Sequence, residues 1–215
     1  MRTLAGAIFD ARRPDGDVDR SLPRRIVAYT ALSGWFVAMS AVAASMLARH
    51  VIPLPAPVHD GRLSTALEVM RGPDDAGRWM AVHVLYTDCR CSRQVGEHLS
   101  ITKRPSDLAE IVLLVGEDPA FAGRLRSNGF VVTAVDAHTL STAYGLEAAP
   151  LLLVVDPEGK IRYSGGYTAR KQGPEPRDLQ IIDSVRGGAQ DPPLPVYGCA
   201  TSRQLQKTLN PLELP

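Results

Sequence analysis

The 215-residue chain carries 24 Lys and Arg against 23 Asp and Glu, a net charge of +1, with 22% charged residues. That balance, without a basic stripe interleaved with aromatics, excludes nucleic acid as an expected partner. Three cysteines are too few for a disulfide scaffold, and an odd number leaves one over in any intramolecular pairing.

Residues 1–25 are polar and carry both signs, as in "RRPDGDVDR", and read as a disordered cytoplasmic tail. From Ile26 to Ala48 the chain runs 23 residues without a charge, bounded by Arg25 and Arg49. At about 1.5 Å per residue this is roughly 35 Å of helix, enough to cross a hydrocarbon core about 30 Å thick. A cleaved signal peptide has a shorter apolar region behind a short positive start, so residues 26–48 are expected to be an uncleaved transmembrane helix. The small-residue run "AVAAS" is the feature that would admit cleavage. Six arginines precede the span (residues 2, 12, 13, 20, 24 and 25) and only Arg49 follows closely. The positive-inside rule then places the N-terminus in the cytoplasm and the rest of the chain beyond the membrane. In a Gram-negative bacterium that compartment is the periplasm, where disulfides persist.

Residues 49–78 read as a linker with short elements. Prolines at 53, 55 and 57 favour an extended spacer, and Ser64 is the expected N-cap of a short helix to Arg71. From Trp79 strands and helices alternate. "WMAVHVLY" (79–86) and "AEIVLLVG" (109–116) are buried-type strands, separated by a helix over about 92–102. "DPAFAGRLRSNG" (118–129) has Asp118 as cap, Pro119 at its first position and Gly129 at its end. A strand at 130–135 and a short helix around 140–144 follow. "LLLVVD" (151–156) and "IRYSG" (161–165) flank a "PEGK" turn with strong hairpin chemistry. A last helix is expected over 176–186. Residues 188–215 form a Gly/Pro-rich tail in which only 202–209 shows helical signal. The order predicts an α/β sandwich with a mixed central sheet over 79–187, with parallel crossovers first and an antiparallel hairpin last.

The chemistry-bearing stretch is "LYTDCRCSRQV" (85–95), with Cys89 and Cys91 at the end of the first strand. A thiolate is the nucleophile in thiol chemistry, and a helix N-terminus lowers thiol pKa through its unpaired N–H groups and dipole. Arg90 and Arg93 would add positive potential, partly opposed by Asp88. A Cys-x-Cys disulfide closes a small, strained ring, and strained, exposed disulfides are the more oxidising ones. The competing reading is two small buried or unreactive thiols. His83 lies six residues before Cys89 and could shuttle protons near neutral pH, although one histidine in an apolar strand is more often a satisfied core residue. Pro150 follows Ala149 and precedes a strand, a position where a cis bond is usually deliberate.

A cysteine cluster that ends the first central strand and opens a helix resembles the thioredoxin superfamily. "YGLEAAPLLLVVDPEGKIRYSGGY" (144–167) resembles that fold's segment of cis-proline, strand, Asp-x-x-Gly turn and return strand. "GFVVTAVDAHTLSTAYGLEAAP" further resembles its membrane-tethered periplasmic branch. The resemblance covers about residues 79–186. It implies a thiol–disulfide oxidoreductase without a cofactor, acting on a cysteine-containing protein substrate or redox partner. Cys89 falls at the attacking position and Ser92 where a second cysteine would normally stand. Either Cys91 resolves in a tighter ring, or Cys89 acts alone. In the family the proline loop faces the cysteines, so Ala149, Arg90 and Ser92 are expected to border the substrate and Pro150 to shape its groove. Cys199, in "VYGCATS", is a possible third thiol, a metal ligand or an isolated tail residue. The rival reading is a copper or zinc chaperone in which Cys89 and Cys91, joined by Cys199 or one of His83, His98 and His138, bind metal.

Overall fold

The computed structural model describes residues 21–51, 53–57, 61–171, 176–189 and 192–209. The expected cytoplasmic tail lies, up to residue 20, outside the described residues; Ser21 to Arg25 already belong to the first helix. The chain divides at Ala48/Arg49 into two units. Helix α1 spans Ser21–Val51, most of it in the first unit. Its segment Arg24–Ala44 is 21 residues long and apolar enough to cross a membrane. From Ile26 to Ala44 its side chains are exposed.

The second unit is built on a five-stranded sheet. Strands β1 (Trp79–Tyr86), β2 (Leu108–Val115) and β3 (Val131–Val135) are followed by β4 (Ala148–Ala149), β5 (Leu151–Val155), β6 (Ile161–Gly165) and β7 (Cys199–Ala200). The main sheet has the order β3-β2-β1-β5-β6, and β4 pairs with β7 in a separate two-stranded ladder. β1 runs parallel to β2 and β2 to β3. β5 is antiparallel to both β1 and β6. The mixed sheet, with its hairpin last, is the architecture read from the sequence.

β1 is central and covered on both faces, which explains its unbroken apolar run. Met80, Val82 and Val84 point to one face, where they meet Leu63, Leu67 and Leu140. Ala81 and Leu85 point to the other, with Val95, Leu99, Phe121, Leu125 and Ile182. The helices supplying those residues are α2 (Gly61–Met70) and α5 (Ala137–Tyr144) on the first face, and α3 (Arg90–Ile101), α4 (Pro119–Ser127) and α6 (Asp178–Arg186) on the second. A last helix, α7, spans Arg203–Leu209.

Local chemistry fixes several boundaries. Asp118 caps α4 by accepting from the Phe121 N–H, with Pro119 at the first position. Asp136 caps α5 by accepting from Thr139 N–H, and Gly145 closes that helix at φ +67°. In α3, Gly96 lies flat against Phe121, where an added Cβ would stand 2.3 Å from the ring; this lets α3 approach α4. α2 begins at Gly61, so Ser64 is an interior residue rather than the expected cap. The helix extends back because Leu63 is fully buried. α3 likewise starts two residues earlier than periodicity indicated, with Cys89 itself as N-cap.

Candidate active site

The register of the sheet creates the site. β1 and β5 are antiparallel, and Val84 pairs with Leu151. The start of β5, immediately after Pro150, therefore lies beside the end of β1, two turn residues before Cys89. The Ala149–Pro150 bond is cis. The Cys89 Sγ reaches the Ala149 carbonyl at 3.7 Å. Cys89 N–H donates to Tyr86 C=O at 3.1 Å, and its own C=O accepts from Arg93 N–H at 3.0 Å. The residue is thus fixed at the mouth of α3, and it is completely buried.

The third cysteine comes from the other end of the sequence. β4 and β7 pair so that Ala149 stands directly opposite Cys199. The same backbone unit that receives the Cys89 thiol is therefore the strand partner of Cys199. All three thiols are free, with Cys91 and Cys199 partly exposed.

The electrostatics single out one of them. Cys89 is held far below the ordinary thiol range, first by the Cys199 S–H and then by the Cys91 S–H. The Ser92 N–H and hydroxyl add to this, against an opposing effect of burial. Cys91 and Cys199 move the other way, each raised chiefly by donating toward Cys89 and then by burial. Of the three thiols, Cys89 is the one whose ionisation its surroundings favour, with two thiols and the helix N-terminus beside it. The leading contributions come from these groups and not from the two arginines expected to supply them. Arg93 is paired with Asp118 at 3.2 Å, while exposed Arg90 favours ionisation of Cys91. Lys171, which sequence reasoning did not single out, lowers both Cys91 and Cys199 from across the site.

Ser92 is fully buried. Its Oγ makes no conventional hydrogen bond but lies close enough to favour the Cys89 thiolate. It stands beneath the reactive sulfur rather than on a surface open to substrate. Ala149 is also fully buried, its backbone committed to Cys89 on one side and to the β7 ladder on the other.

His83 is buried on the second face of β1, with Nδ1 2.8 Å from the Tyr167 hydroxyl and Nε2 3.2 Å from Glu110 Oε1. Tyr167 in turn donates to the Leu151 carbonyl at 3.3 Å. From Glu110 an ion network continues through Arg104 (Nε to Oε2, 2.8 Å) to Asp178 at 2.6 Å and on to His98 at 2.9 Å. Asp178 is fully buried, and Glu110 and Arg104 nearly so. Two of the three candidate metal-binding histidines are therefore engaged in this network. Among the described residues, no group of three or more His, Cys, Asp and Glu side chains is arranged to hold a metal ion.

The strand order β3-β2-β1-β5-β6, a cysteine capping the helix after β1, and a cis-proline loop beside it together decide the architecture. The domain has a thioredoxin-like fold. No family model matches the chain, and no curated protein does. Solved structures similar to it include an uncharacterized conserved protein from Geobacillus kaustophilus, 13% identical, with a TM-score of 0.48 over 71% of this chain and 90% of that one. A hypothetical protein from Sinorhizobium meliloti is 19% identical, with a TM-score of 0.44 over 59% of this chain and 80% of that one. A secreted disulfide oxidoreductase of Mycobacterium tuberculosis is 9% identical, with a TM-score of 0.41 over 53% and 84%. The thioredoxin-like assignment rests on the strand order and the proline loop rather than on these likenesses.

Proposed function

We propose that this protein is a membrane-anchored thiol–disulfide oxidoreductase whose reactive group is Cys89. The observation that carries the reading is the Cys89 thiol at the N-cap of α3, 3.7 Å from the carbonyl before a cis-proline and flanked by two further thiols. Such a cluster supplies what exchange requires: a sulfur that is a thiolate at neutral pH, serving as attacking or leaving group, and a second thiol with which to close a disulfide. Cys91 or Cys199 is that second thiol. The substrate is a cysteine-containing protein outside the cytoplasm, a placement supported by the apolar helix α1 and the arginines before it.

A copper or zinc chaperone is the alternative. It is disfavoured because His83 and His98 are tied into the ion network away from the thiols, and no metal-holding group occurs among the described residues. One paired experiment separates the two. The purified full chain in detergent is equilibrated with glutathione redox buffers and, in parallel, titrated with Cu(I). We expect Cys89 to pass reversibly between thiol and disulfide, exchange to be lost in Cys89→Ser, and Cu(I) to bind weakly. Tight stoichiometric Cu(I) binding with no reversible disulfide would establish the chaperone instead.

A further inference from the structure

Residues 192–201 run as a strap across the mouth of the site, and their fit is close along the whole path. Leu54 N–H donates to Val196 C=O at 2.8 Å, Gly166 N–H to Leu194 C=O at 2.8 Å, and Thr201 N–H to Glu147 C=O at 2.8 Å. Leu194 N–H donates to the Tyr163 hydroxyl at 3.2 Å, and that hydroxyl donates to Gly166 C=O at 2.6 Å. Two glycines make the track passable. A Cβ on Gly166 would stand 2.0 Å from the Pro195 oxygen, and one on Gly198 2.0 Å from the Ala149 oxygen and 2.5 Å from Pro150 Cδ. The strap is thus seated on the backbone of the cis-proline loop, and it ends by setting Cys199 opposite Ala149, whose carbonyl touches Cys89.

Resting on the oxidoreductase reading, we propose that Cys199, and not Cys91, is the redox partner of Cys89, so that the strap is a built-in part of the catalytic couple and substrate meets the protein at Cys199. Two observations favour it. Cys91 is the second residue of α3 and Cys89 its cap; a bond between them would close a ring smaller than that of a Cys-x-x-Cys pair and be strained. Cys199 comes from an antiparallel strand, opposite the Ala149 whose carbonyl Cys89 reaches, so a Cys89–Cys199 bond closes no such tight ring. Accessibility then assigns the roles. Cys89 has no exposed surface, whereas Cys199 is partly exposed, so an incoming thiolate reaches the Cys199 sulfur.

In the oxidised chain, a substrate thiolate attacks Cys199 Sγ. The Cys89–Cys199 bond breaks, and its electron pair leaves on Cys89, where the Ser92 N–H and the neighbouring thiol receive the charge. Low-pKa thiols leave fastest. A second substrate thiolate then attacks the substrate sulfur of the mixed disulfide. This forms the substrate disulfide and releases Cys199, which takes up a proton. Two electrons pass from a substrate dithiol to the Cys89–Cys199 pair, and the same steps in reverse reduce a substrate disulfide.

Trypsin can decide the pairing because Arg90 separates Cys89 from Cys91. The full chain in detergent is oxidised with glutathione disulfide, its remaining thiols are blocked with N-ethylmaleimide, and the digest is read by mass spectrometry. We expect fragment 79–90 joined to 187–203 as the major disulfide. In Cys199→Ser, Cys89 should lose its intramolecular bond, and any glutathione it acquires should persist at least tenfold longer. A major product joining 79–90 to 91–93 overturns the assignment to Cys199 and leaves the oxidoreductase reading intact. A Cys89 that stays a thiol, while the outer cysteines become glutathionylated, overturns that reading itself. Gly198→Val, which keeps every thiol but obstructs the strap, should cut the 79–90/187–203 yield at least tenfold; an undiminished yield contradicts the role of the strap.

Discussion

At the scale of single residues, the site and the buried network beside it are both arrangements for keeping one charge form in a nearly dry place. Glu110 illustrates the rule with a sign that can be checked. Burial raises its carboxyl, but hydrogen bonds from His83 and Arg104 overcome this and hold it down at about 2 against an ordinary 4.5. A carboxylate depressed on folding contributes stability above its unfolded value and loses that contribution as pH falls through the folded one. We therefore expect urea-unfolding stability to decline between about pH 4.5 and 2, and Glu110→Gln to flatten that decline. The same variant should cost about 2–3 kcal/mol at neutral pH, since it takes from buried Arg104 one of its two carboxylate partners and leaves only Asp178. His83 belongs to this network. Both its ring nitrogens are engaged, with Tyr167 and Glu110, so His83→Ala should lower stability by about 2–4 kcal/mol. It should leave the pH profile of glutathione exchange at Cys89 unshifted; a displaced profile would establish the proton-shuttling role the sequence proposes for it.

At the scale of elements, the close approach of α3 to α4 depends on Gly96. Gly96→Val would press into the Phe121 ring, 2.3 Å from the new Cβ. We expect a loss of about 1–3 kcal/mol by thermal or denaturant unfolding, as in other overpacked cores. The long elements were legible in the sequence because each carries its own signal. β1 reads as an unbroken apolar run, α4 as an Asp-Pro cap ending in glycine, and the β5–β6 hairpin as an Asp-Pro-Glu-Gly turn. Cys89 and Pro150 were legible for the same reason, standing at marked boundaries. β4 and β7 were not: two residues cannot show a period, and β7 lies in a Gly/Pro-rich stretch. The register that sets Cys199 against Ala149 is fixed by glycines fitting distant backbone at Gly166 and Gly198, a contact no local pattern encodes. The field around Cys89 was misjudged at the arginines for a related reason. Arg93 is drawn away by Asp118, 25 residues downstream in sequence and near only in the fold.

At the scale of the whole molecule, the two units ask for separate chemistry: a helix with a 21-residue apolar segment and a thioredoxin-like domain with a low-pKa thiol. Six arginines lie before the span and one just after it, so the domain is expected on the far side of the membrane. Protease added to spheroplasts should digest the C-terminal part; its protection would reverse the orientation. The central claim, that Cys89 is the low-pKa thiol of an exchange couple, is tested most directly by its ionisation, followed through the ultraviolet absorbance of the thiolate in the full chain against Cys89→Ser. Its pKa is depressed by the neighbouring thiols, so its thiolate is present below the ordinary thiol value of about 8.5. We expect a thiolate absorbance, absent from Cys89→Ser, that stays level from about pH 5 to 8. An absorbance that appears only as pH rises toward about 8.5, as for an ordinary thiol, would contradict it.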